Sequence, residues 1–98
     1  MDPVFLHCQI SQGAFSGERV FEVDLVSNEP YIGLSPLRYC YHPCGQMFNP
    51  SEPGHGARVQ GLLAARRIGV ENDTARVAIP DGRAIFVPSR VVTDRPHF

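Results

Sequence analysis

The sequence predicts an all-β protein built from two fused three-stranded pseudo-repeats, each closed by one 3-10 turn, at Pro36 and at Pro88. Three observations carry this. A phrase occurs twice: Tyr31–Cys40 reads YIGLSPLRYC and Ala84–Val92 reads AIFVPSRVV, so that Pro36 aligns with Pro88 and Arg38 with Arg90 at one offset of 52 residues. Apolar residues alternate with polar ones over several short stretches, the period of strands with one buried face. Turn-forming residues separate those stretches, and no long segment carries an uninterrupted helical period.

Val4–Ile10 (VFLHCQI) is the first expected strand, with Val4, Leu6, Cys8 and Ile10 on an apolar face and Phe5, His7 and Gln9 on the other. Ser11–Glu18 is a turn in which Gly13 and Gly17 free the backbone. Arg19–Val26 alternates most clearly: Phe21, Val23 and Leu25 share the face expected to be buried, and Glu22 and Asp24 the opposite one. Ser27–Pro30 reads as a hairpin turn, Tyr31–Leu34 as a strand, and Ser35–Arg38 as one turn of 3-10 helix, because Pro36 presets φ. Pro43–Gly56 holds three Pro and three Gly in fourteen residues, too many for helix or strand, and is the connector. Arg58–Val70 mixes helix-forming residues with Gly61 and Gly69 and lacks an N-cap; it is expected to be one long strand bent at Gly61. Glu71–Thr74 is a hairpin turn, Ala75–Ile79 a half-buried strand, Pro80–Arg83 a turn centred on Asp81-Gly82, and Ala84–Val87 the last full strand. Asp94–Phe98 is expected to fray.

The 98 residues make one compact domain, with pseudo-repeat halves 4–42 and 57–93 and the connector 43–56. Such a chain buries only about 60–65% of its unfolded surface, so the core is modest. A hydrophobic content of 43% argues against disorder. All nine basic residues are Arg, scattered and offset by ten acids, and the net charge of −1 supplies no long-range field for nucleic acid or an anionic membrane. Three Cys cannot complete a disulfide framework within the chain, no secretory leader pattern opens it, and no apolar run approaches the roughly 20 residues of a membrane helix. The expected setting is a reducing cytoplasm with free thiols and no membrane partner.

Asp73–Val92 (DTARVAIPDGRAIFVPSRVV) resembles the closing half of an SH3-like small β-barrel: a strand, a tight hairpin, a second strand, a 3-10 turn beginning near Pro-Ser, and a final Val-rich strand. The resemblance covers about a fifth of the chain well and extends loosely to most of it if Tyr31–Cys40 is a diverged second copy. It implies a barrel, single or paired, and no particular ligand. The chain has no Trp, and its second half has no Tyr, so the aromatic groove of peptide-binding SH3 domains does not carry over.

Three constellations bear on chemistry. Cys40, His42 and Cys44 alternate, with His55 eleven residues beyond, which offers four sulfur or nitrogen donors for tetrahedral zinc; the spacing is unlike usual zinc knuckles, and the plain reading is a core Cys40 and two loop His. Cys44 beside His42 and His55 could form an activated thiol, but no orienting group accompanies it and no catalytic motif appears elsewhere. Tyr31, Tyr39, Tyr41 and Phe48, with Arg38, form an aromatic and Arg cluster of the kind that anchors interfaces. The expectation is therefore a non-enzymatic binding module that recognises a protein partner through Arg38, Tyr39, Tyr41 and Phe48, without catalytic residues, bound metal or cofactor. The alternatives are a nucleic-acid-binding barrel using Arg58, Arg66, Arg67 and Arg76, and a zinc-ordered or thiol-active protein using Cys40, His42, Cys44 and His55. Self-association is compatible with each.

Overall fold

The structure, a computed structural model, describes residues 2–94; of the expected frayed tail, everything beyond Asp94 lies outside the described residues. The fold is all-β, with eight strands in one curled sheet and two 3-10 turns. The strands are β1 (Asp2–Gln12), β2 (Glu18–Asp24), β3 (Pro30–Pro36), β4 (Cys40–Tyr41), β5 (Arg58–Glu71), β6 (Thr74–Ala78), β7 (Ala84–Pro88) and β8 (Val92–Thr93). The 3-10 turns, Leu37–Tyr39 and Ser89–Val91, each follow a proline, so the first begins two residues later than the Ser35–Arg38 span the sequence suggests.

The sheet is antiparallel in the order β3-β2-β1-β5-β6-β7. Its spine is the long β1–β5 pair, running from Asp2 opposite Arg67 to Ser11 opposite Arg58. The two shortest strands attach across the halves: β4 pairs with β5 and β8 with β1. One row therefore crosses the middle of the molecule as Val92, Leu6, Leu63 and Cys40, on β8, β1, β5 and β4. Beyond this row, β2 pairs with one end of β1 and β6 with the opposite end of β5. The sheet curls until the Val26 N–H donates to the Phe86 carbonyl at 3.0 Å, drawing the end of β2 toward β7.

Alternation decides what faces inward. Val4, Leu6, Cys8 and Ile10 of β1, with Phe21 and Val23 of β2, Leu63 of β5, Val77 of β6 and Val87 of β7, form one continuous core. The long segment Arg58–Glu71 is strand throughout, and its register with β1 runs unbroken through Gly61. The register with β6 instead shifts between Arg67 and Gly69, leaving Ile68 as the extra residue. Gly61 has a different purpose: a Cβ there would lie 2.5 Å from Ile10 Cδ1 and 3.1 Å from the Tyr41 carbonyl oxygen. It lets β4 and β1 close around β5. The hairpin turns use residues that tolerate left-handed backbone, Asn28 at φ 68° and Asn72 at φ 56°.

Candidate functional site

The aromatic cluster separates. Arg38 is exposed, its guanidinium 4.8 Å from the centroid of the Tyr39 ring, in cation–π contact. Tyr39 is half-buried and packs on the edge of the core. Tyr41, on β4, meets Phe5 edge-to-face at 5.4 Å, and Tyr31 packs on Phe21 at 6.0 Å. Phe48 is 3% exposed and belongs to the core. Its N–H donates to the Cys40 carbonyl at 3.1 Å, and its ring lies 4.2 Å from that of His42. Phe48 thus offers no surface to a partner. In a Pro/Gly-rich loop it looked like an exposed anchor, whereas the connector folds it inward as a plug.

The cross-attachment of β4 and β8 opens two grooves. β4 covers Leu62 and Leu63 on the outer edge of β5, while β6 joins that edge only from Arg66 onward. Ala64 and Ala65 lie in the gap. The groove there has a volume of about 330 Å³ and is lined by Pro3, Tyr39, Ala64, Ala65, Arg66, Ala78, Ile79 and Pro80. On β1, β8 covers Phe5 and Leu6, while β2 joins from Gln9 onward. The gap at His7 and Cys8 is a smaller groove of about 200 Å³, also lined by Glu22, Asp24 and Arg90. The first groove is apolar with an Arg at its wall; the second is polar. Neither was visible in the sequence, because each is a gap between strands that meet only through long-range pairing.

The candidate metal and thiol residues do not converge. Among the described residues, no group of three His, Cys, Asp or Glu could hold a metal ion. Cys40 is buried in the core, His42 faces Glu52 with Nε2 3.0 Å from Oε2, and Cys44 and His55 are exposed. The Asn49 N–H donates to Glu52 Oε1 at 3.0 Å; this bond, and then His42, hold the Glu52 carboxyl below its usual pKa. Burial, with neighbouring Cys40 adding to it, pushes the Cys8 thiol up to about 12. Burial pushes Cys40 to about 11, against the opposing pull of Ser35 and Arg19. Both thiols stay protonated and shielded at neutral pH. A thiol-reactive disulfide reagent should therefore modify Cys44 alone in the folded protein and all three Cys in denaturant; rapid native reaction at Cys8 or Cys40 would contradict this packing.

Sequence reading missed one residue that shapes the site region. Arg19 is 1% exposed, although charged. Its guanidinium donates to four backbone carbonyls: Glu52 at 2.8 Å, Pro50 and Ser16 at 2.9 Å, and Glu18 at 2.7 Å. Two of these belong to the connector, which Gln12 also holds through the Pro53 carbonyl at 2.9 Å. The signal was present: Arg19 shares the parity of Phe21 and Val23 on β2. Arg19 lies opposite Ser35, where the β6–β7 hairpin places Ala75 opposite Val87.

Of the Arg face considered for nucleic acid, Arg58 pairs with Glu22, and Arg67 lies between Asp2 at 3.2 Å and Asp94 at 3.4 Å. Arg66 and Arg76 are exposed, the latter 6.0 Å from the Phe86 ring. Among the described residues, no helix is long and apolar enough to cross a membrane. Comparison with protein families, with curated proteins and with solved structures finds no match, so the functional reading rests on the geometry of this chain.

Proposed function

We propose that the protein is a non-enzymatic binding module that docks a protein partner in the groove between the first 3-10 turn and β6. The observation that carries this is the groove itself: Pro3, Ala64, Ala65, Ala78, Ile79 and Pro80 form an apolar lining beside Tyr39 and Arg66. Small side chains leave room for an incoming apolar one, and Tyr and Arg are the residue types that most often anchor interfaces. Arg38 and Tyr39 contribute directly, whereas Tyr41 acts by packing β4 onto Phe5. On this reading the two halves are copies of one unit, and only the first acquired the groove residues at its closing phrase.

The test is a photo-cross-linking residue at Asp81, exposed in the turn just beyond Pro80. In cells of the native host it should give a discrete protein adduct, which Ala64→Trp, filling the groove, removes. No adduct, or an adduct consisting of nucleic acid, would reject the assignment.

A further inference from the structure

The two grooves occupy corresponding places, and the second shows what the first lacks. Leu6 and Leu63 face each other at the centre of the molecule, with Val92 and Cys40 on their outer edges. Counting onward from them, His7, Cys8 and Gln9 correspond to Ala64, Ala65 and Arg66. Gln9 pairs with Glu22 and Arg66 with Ala78, so Asp24 corresponds to Pro80. Arg90 and Arg38 hold the same place in their 3-10 turns.

In the second groove the chain supplies its own acid: Arg90 reaches Asp24 at 3.6 Å. In the first groove Ala78 and Pro80 stand where Glu22 and Asp24 would be, and no carboxylate is among the lining residues. Among the described residues, neither Arg38 nor Arg66 forms an ion pair with a carboxylate. Arg38 instead folds back over the Tyr39 ring.

Building on the docking site proposed above, we infer that its occupant is an extended acidic peptide: an aliphatic or prolyl side chain enters the apolar groove, and an adjacent Asp or Glu supplies the missing carboxylate to Arg38 and Arg66. The backbone favours a peptide. Ala64 and Ala65 carry a strand partner on their β1 side only, so this short gap in the outer edge of β5, between β4 and β6, can offer an incoming peptide a main-chain contact. Nucleic acid fits less well, because Arg38 covers the Tyr39 face on which a base would stack, and two unneutralised cations make few phosphate contacts.

The experiment is selection from a phage-displayed random peptide library on the full chain, on Ala64→Trp, and on the Arg38→Glu/Arg66→Glu double variant, each first checked for an unchanged thermal transition. Enriched peptides should place Asp or Glu next to Val, Leu, Ile or Pro. Replacing that acid by Gln in the synthetic peptide should weaken binding roughly tenfold, the scale of a lost charged anchor. The double variant should select Lys or Arg instead. Peptides that bind the full chain but not Ala64→Trp, without preferring acids, overturn this inference and leave the docking site standing. Absence of enrichment overturns both. Oligothymidylate that competes for the same surface, with loss of binding in the double variant, overturns the peptide in favour of nucleic acid.

Discussion

Replacing Arg19 by Ala will cost about 3–5 kcal/mol of stability, a large part of the roughly 5–15 kcal/mol that a domain of this kind possesses. The side chain is buried and, among the described residues, forms no ion pair, so four carbonyl dipoles carry its charge. Truncation leaves those carbonyls without their donor and opens a void behind β2. Denaturant unfolding measures the loss, and amide hydrogen exchange locates it: protection should fall most at Asn49 and Glu52, whose N–H groups lie in the turn that Arg19 holds. Arg19→Ala with Ser35→Val, which imitates the Ala75–Val87 pair, should recover part of the stability by filling the core. It should leave the connector as exchangeable as the single variant does. Unchanged connector protection in Arg19→Ala would show that the pin is dispensable.

Leu63→Ala should destabilise by a similar amount, about 3–5 kcal/mol, the upper part of the range for a fully buried Leu. Leu63 is completely buried and lies at the crossing, opposite Leu6 on one edge and Cys40 on the other. A cavity there is enclosed by four strands, and the β1–β5 spine cannot slide inward to fill it. Leu6→Ala should cost about as much. The double variant should fall short of additivity, because both truncations open the same cavity. Chemical denaturation of the single and double variants checks this; strict additivity would mean that the two leucines do not share a space.

The strands were legible because one-sided burial leaves its mark at every second residue, as in Val4–Ile10 and Ala75–Ile79. The 3-10 turns were legible because Pro36 and Pro88 fix their starting φ. What escaped is what depends on distant partners. Arg19 has the parity of the core, but its charge suggested solvent; only the connector carbonyls, more than thirty residues away, make burial tolerable. Phe48 sits among loop residues that reveal nothing of the cavity it fills. The bulge at Ile68 interrupts the pairing of β5 with β6, whereas Gly61, the other glycine of β5, sits in an unbroken register with β1, and no local signal tells the two apart. At the candidate site, Arg38 and Tyr39 could be singled out in advance, but Ala64, Ala65, Ala78 and Pro80 could not. Small apolar residues become a groove only once the strands on either side leave a space.

The attachment of β8 to β1 and of β4 to β5 also orders events during synthesis. Among the described strands β1 precedes all the others yet receives β8 last, and β4 cannot pair until β5 has left the ribosome. Contacts of such sequence separation form slowly. Until β8 emerges, Phe5 and Leu6 lack a partner on that edge of β1, so the nascent chain is open there to chaperone capture or aggregation. A stall or truncation ahead of Val92 would release a chain whose spine lacks one of its two closing strands.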